Sequence, residues 1–152
     1  MLGHELIEER LTHSAIGAFF DVYNKLGFGF LETVYTMALE RELARRGHQV
    51  GREVWVPVMY DGEELCKQRI DMIVDEKLVI ECKAGIDLPK TGVRQLQNYL
   101  RATNLSVGLL FHFGPEPKFH RLVGPHLVAG RARITNPGPA SRTQGFITDD
   151  TD

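Results

Sequence analysis

RIDMIVDEKLVIECK, residues 69–83, reads as a β-hairpin carrying a charged site. A three-residue turn at Asp75, Glu76 and Lys77 pairs Val74 with Leu78, Met72 with Ile80 and Asp71 with Glu81, because partners across the hairpin keep a constant sum of residue numbers. Side chains alternate between the two faces of a strand. One face then collects Ile70, Met72, Val74, Leu78, Ile80 and Cys82, all apolar. The other collects Arg69, Asp71, Ile73, Val79, Glu81 and Lys83, apolar near the turn and ionic at its far end. Like charges directly opposite one another destabilise a sheet. A divalent cation between Asp71 and Glu81 reverses that sign, since Mg2+ favours carboxylate oxygens and keeps several waters. Lys83, roughly 7 Å from Glu81 along the strand, is then placed to steady a hydroxide or a phosphate. Two other readings stay open at this point. A hairpin with one wetted, charged face shows the same pattern, and a two-residue turn at Asp75 and Glu76 puts Asp71 on the face opposite to Glu81.

The length of 152 residues suits one domain with a real core, and 43% hydrophobic with 25% charged residues is ordinary for a soluble globular chain. A net charge of −2 gives no global signature of nucleic-acid binding, although local basic faces matter more than the total. No stretch of eighteen apolar residues and no charged-then-apolar leader is present, so the expectation is a cytoplasmic protein with no membrane association. Cys66 and Cys82 are too few for a disulfide framework, and the six histidines fall in no metal-finger spacing.

Working outward, Leu11, Ala15, Phe19, Val22 and Leu26 mark a first amphipathic helix with Thr12 or Ser14 as N-cap. Gly27 to Gly29 interrupt it. Leu31, Val34, Tyr35, Ala38, Leu39 and Leu43 mark a second helix, ending with Arg45 and Arg46 and with Gly47 as the C′ residue. Residues 49–60 and 64–74 form antiparallel strands around the Asp61-Gly62 turn, and the hairpin completes a three-stranded meander. Pro89 suits a helix start, with Val93, Leu96 and Leu100 as its apolar stripe and Gln95 and Tyr99 a turn apart on another face. LSVGLLFHF at 105–113 is a nearly unbroken apolar run of the kind that forms a buried strand parallel to the preceding one. Residues 118–123 supply an edge strand. The result is an α/β fold of order α-α-β-β-β-α-β-β, a sheet between helices, over residues 1–123; residues 124–152, rich in Pro, Gly, Ser, Thr and Arg, read as a flexible tail.

GFLETVY at 29–35, the Asp71, Glu81 and Lys83 set of the hairpin, and QLQNYL at 95–100 occur in an order that resembles the GxxExxY proteins of the PD-(D/E)XK nuclease superfamily. The likeness covers about residues 10–123, with VPVMYDG at 56–62 and VGLLFHFG at 107–114 as lesser matches. It implies a restriction-endonuclease-like mixed β-sheet flanked by helices. It also implies one metal-dependent phosphodiester-cleaving site formed by Glu32, Asp71, Glu81, Lys83 and Gln95, with Mg2+ or Mn2+ held by Asp71, Glu81 and Glu32. Arg69, on the ionic face, is a candidate phosphate contact. Tyr35, one turn after Glu32, is a candidate substrate contact that could equally brace the site or simply pack. Ile70 stands where the superfamily name has proline, and Tyr23, Phe28 and His112 stand where the resemblance expects His, Pro and Asn. The function expected is cleavage of DNA or RNA, DNA ahead of RNA, with a homodimer compatible with the sequence. The rivals are a catalytically silent nucleic-acid-binding or protein-interaction module on the same fold, and a hydrolase of small phosphate esters.

Overall fold

A computed structural model of the chain describes residues 7–125 and 127. Apart from its first few residues, the tail expected at 124–152 lies outside the described residues. The elements are α1 (Glu9–Leu26), α2 (Glu32–Arg45), β1 (Val50–Tyr60), β2 (Glu63–Val74), β3 (Leu78–Ala84), α3 (Thr91–Thr103), β4 (Val107–Phe113) and β5 (Pro117–Val123), in the order expected. They form a five-stranded sheet of order β1-β2-β3-β4-β5. Only β3 and β4 run parallel, with α3 as the crossover between them.

The three- and four-residue spacing in α1 and α2 puts Phe19, Val22, Tyr35, Leu39 and Leu43 against Met72, Val74, Ile80, Cys82, Phe111 and Phe113. Two stacked aromatic pairs, Phe19 on Phe111 and Tyr35 on Phe113, each with centroids 4.3 Å apart, fix those helices on the sheet. The apolar stripe of α3 packs on the other face, where Val93, Leu96 and Leu100 meet Val56, Ile70, Val79 and Leu110. α3 lies so close to β4 that a Cβ on Gly108 would sit 2.9 Å from Leu96 Cδ1. The sheet is thus covered on both faces at β4, whose seven residues are all buried.

α2 ends as expected. Gly47 takes a φ of 94°, its N–H donates to Ala44 O at 2.9 Å, and the His48 N–H reaches back to Leu43 O at 3.1 Å. α1 starts earlier than its capping residues suggest. Glu8, with φ 52° and no side-chain cap bond, precedes the first helical residue, because burying Leu11 in the core carries the helix past Thr12 and Ser14. The Thr12 hydroxyl instead donates to Glu9 O.

The hairpin has the three-residue-turn register: Val74↔Leu78, Ile73↔Val79, Met72↔Ile80. The ladder stops there. Asp71 and Glu81 are not backbone partners; Asp71 Oδ2 accepts the Cys82 N–H at 2.9 Å. On its other edge β2 keeps one register with β1 from Val50↔Val74 to Val58↔Cys66, yet the pairing skips Glu53 and Asp71, and Glu53 has a left-handed φ of 57°. Such an irregularity turns the pleat over. Ile70 and Ile73, three residues apart, therefore belong to the same cluster beneath α3. This corrects the strict alternation that set Ile70 beside Met72.

The turn itself is tied down. Asp75 and Glu76 have φ values of 53° and 58°, and Asp75 exchanges bonds with Gln49 in both directions, N–H to O and N–H to Oδ1, each 2.8 Å. Its Oδ2 lies 2.7 Å from His48 Nδ1, and His48 Nε2 lies 2.7 Å from Ser14 Oγ, so one line of polar contacts joins α1, the end of α2 and the hairpin turn. Ser, His and Asp stand in nucleophilic order, but Ser14 lies inside α1, where backbone N–H groups are used by the helix and no oxyanion hole is formed.

These contacts hold the Asp75 carboxyl below its ordinary value: burial opposes ionisation, and the Gln49 N–H and His48 overcome it. A lowered carboxyl pKa stabilises the fold above the unfolded value and is lost as pH falls through the folded one. Asp75→Asn, which tolerates the same backbone, should cost about 1 kcal/mol at neutral pH. The difference should vanish as pH drops below 3.8, the ordinary aspartate value. Urea unfolding of both proteins at neutral and acid pH checks this; a difference independent of pH would contradict it.

Candidate active site

Glu81 and Lys83 lie on the face of β3 covered by α3. Glu81 pairs in register with Leu110 of that cluster and is 4% exposed. Lys83 Nζ is 3.3 Å from Glu81 Oε2 and donates to Gln95 Oε1 at 3.1 Å. Gln95 Nε2 in turn donates to Tyr99 Oη at 2.9 Å, across one turn of α3. A carboxylate, an ammonium, an amide and a phenol thus form one line, and the amide is aimed by the groups at its two ends. Glu81 Oε1 is buried with no hydrogen-bond partner.

Burial, first, and repulsion from Asp71, second, push the Glu81 carboxyl up from 4.5 to about 7; Lys83 opposes this and Glu32 adds to it. Glu32 opens α2, whose apolar side packs on the other face of the sheet. Its side chain stays open to solvent, yet its carboxyl is held above the ordinary range by partial desolvation and then by Asp71, with Lys83 and Arg69 pulling the other way. Glu32, Asp71, Glu81, Lys83 and Gln95 are therefore brought together where β2 parts from β3. Among the described residues, no group of three or more His, Cys, Asp or Glu side chains is close enough to enclose a metal ion. The residues nonetheless fit a hard cation. Their donors are carboxylate oxygens, one of them buried and unpartnered, and Mg2+ binds through one or two carboxylates while keeping its remaining ligands as water.

Two expected substrate contacts are placed differently from one another. Arg69 is half exposed, with Nη1 3.6 Å from Glu53 Oε2. Tyr35 is fully buried; its hydroxyl donates to Gly27 O and accepts from the Phe30 N–H at 3.2 Å, so it braces the loop that leads into Glu32. Cys82 is buried among the core residues, and burial drives its thiol pKa well above the ordinary value, in keeping with an inert packing residue. Sequence reasoning gave no role to Glu53 or to the partners of His112. The first is concealed because glutamate does not signal a left-handed backbone. His112 pairs in register with Lys83 and places Nε2 2.9 Å from Gly85 O, supporting the loop between β3 and α3. A lone histidine in VGLLFHF is its sequence trace. A concavity of about 340 Å3 lined by Gln49, Val50, Gly51, Val54, Ile73 and Glu76 shares no residue with the carboxylate site.

A carboxyl whose pKa is raised on folding stabilises the fold below its unfolded value, and that contribution is lost as pH rises through the folded value. In EDTA, stability should therefore decline between pH 4.5 and about 7. Glu81→Gln should flatten the decline and stabilise the metal-free protein at higher pH by up to a few kcal/mol. Urea titrations across that range decide it; an unchanged pH slope in the variant would clear Glu81 as the strained group.

Among the described residues no helix is long and apolar enough to cross a membrane. No curated protein matches this sequence. The crystal structure of SSO0001 is similar to it, with 21% identity and a TM-score of 0.47 over 68% of this chain and 58% of that one. The present chain thus spans little more than half the length of that structure. The family model of the PD-(D/E)XK nuclease superfamily matches residues 9–122, from the first residue of α1 to the last but one of β5. The mixed sheet flanked by helices is a restriction-endonuclease-like fold, and with three quarters of its length matched the protein belongs to the PD-(D/E)XK nuclease superfamily.

Proposed function

We propose that this chain is a Mg2+- or Mn2+-dependent nuclease of the GxxExxY type, cleaving phosphodiester bonds of nucleic acid, DNA ahead of RNA. The superfamily consists generally of phosphodiester-cleaving nucleases. The observation that carries the finer reading is the buried, unpartnered Glu81 Oε1, in a carboxyl that repulsion from Asp71 helps to hold up at about 7. Leaving such an oxygen without a partner costs free energy unless something positive meets it.

Asp71 and Glu81 would hold the cation, with Glu32 joining directly or through water. A bound divalent ion supplies a water of lowered pKa and neutralises charge on the phosphate. Lys83, directed by Glu81 and Gln95, presents its ammonium to the attacking water or to a phosphate oxygen, and its fixed direction avoids reorganisation when charge develops. Gln95 and Tyr99 are positioning residues for that ammonium. Arg69 is offered as a phosphate contact at the margin. A binding-only module has no use for clustered carboxylates facing a polyanion, which favours the enzyme over its non-catalytic rival.

Purified protein with Mn2+ or Mg2+ should cut DNA or RNA, and EDTA should stop it. Lys83→Ala should lower cleavage by about a hundredfold or more while Mn2+ affinity by calorimetry stays within a few-fold, because an ammonium has no lone pair to give a cation. Should Lys83→Ala abolish metal binding as completely as Asp71→Asn does, Lys83 is holding the site together and the assigned role is wrong. Inactivity on every strand form of both nucleic acids would favour the binding module.

A further inference from the structure

The loop between α1 and α2 exposes three apolar side chains directly before Glu32: Phe28 at 45%, Phe30 at 48% and Leu31 at 77%. Solvated loops do not ordinarily carry aromatic side chains in this density. The loop is also held firmly. Tyr35 Oη bonds both Gly27 O and the Phe30 N–H, and the Phe30 ring stands edge-on to the Tyr35 ring at 81°, with centroids 6.1 Å apart. Tyr35 itself stacks on Phe113 at the end of β4. The loop after β3 is fixed to the same strand end: the Gly85 N–H donates to Phe113 O, His112 Nε2 bonds Gly85 O, and Ile86, the next residue, is 71% exposed. Two anchored loops therefore carry apolar surface beside the end of the sheet that bears Lys83.

The cations that act on Glu32, Lys83 and Arg69, each have an acidic neighbour, Glu81 at 3.3 Å and Glu53 at 3.6 Å. The chain as a whole carries −2. A duplex hides its base faces and is held chiefly through phosphates, each needing a cation. A single strand offers base faces, which stack on aromatic side chains without regard to charge or sequence.

We infer that Phe28 and Phe30, flanked by Leu31 and Ile86, form a base-stacking rim that selects single-stranded nucleic acid over duplex at this site. Stacking on Phe30 sets a nucleotide two residues from Glu32 along the chain. The role of that strand as substrate rests on the nuclease reading; its binding does not.

Anisotropy of a fluorescein-labelled, mixed-sequence oligodeoxynucleotide, alone and annealed to its complement, tests this in EDTA, where cleavage is off; the RNA of the same sequence is run beside it. The expected result is binding of at least one single strand about tenfold tighter than duplex. Phe28→Ala with Phe30→Ala should weaken single-strand binding about tenfold or more, and Phe28→Tyr with Phe30→Tyr should restore it, since stacking survives in tyrosine. Duplex binding equal to or tighter than single-strand binding, indifference to the alanine pair, or no binding by either strand form would each overturn the inference. Cleavage is followed separately with Mn2+. Single strand cut at an undiminished rate by the alanine pair overturns the rim and leaves the nuclease standing, whereas the expected binding pattern without any cleavage upholds the rim and removes the nuclease.

Discussion

Where β2 leaves β3, the carboxylate of Asp71 takes over the bond that a backbone carbonyl would otherwise make to the Cys82 N–H. That substitution lets the two strands part after Met72↔Ile80 while the backbone of β3 stays satisfied. β3 does not lose its place, because its other edge continues in register with β4 from Leu78↔Val107 to Ala84↔Phe113. The opening that results is where Glu81 and Lys83 meet Gln95, and where Glu32 arrives from another layer. A side chain that completes a ladder and also belongs to an acidic cluster is doubly constrained. It can be removed only by disturbing both the sheet and the site.

The cluster is costly in itself. Glu81 is buried, has an oxygen with no partner, and ionises only against Asp71 and Glu32. Such strain persists where the surroundings over-determine the geometry. Here they do so from both faces of the sheet: aromatic stacking fixes α2 and so Glu32, and the leucine stripe of α3 fixes Gln95 above Lys83. The layers are stabilised by ordinary apolar burial, and the ionic arrangement is what they hold in place. A cation is the simplest species that makes the arrangement favourable.

Much of this could be read from the sequence because two periodicities are clear in it. The 3.6-residue spacing of α1 and α2 and the alternation around Asp75 fixed element order and hairpin register. Reading failed where a residue acts against its type. Glu53 adopts a backbone more usual for glycine, and the pleat turns over opposite Asp71, so Ile70 lies beneath α3. Glu8 precedes α1 although Thr12 and Ser14 are better capping residues, since the burial of Leu11 outweighs a cap. For the site, the five polar residues were legible as an ordered set from a family resemblance, while their mutual bonds were not. That Tyr35 braces the loop instead of facing solvent follows from its stacking on Phe113, a contact between residues far apart in the chain.

The claim on which the account rests is that a divalent cation reconciles Asp71 with Glu81. Crystals grown or soaked with Mn2+ and measured for anomalous scattering test it directly. The account predicts a peak bonded to Asp71 and Glu81, with Glu32 as a ligand or one water removed. A well-occupied Mn2+ elsewhere, or a saturated soak that leaves both carboxylates without metal, would contradict it.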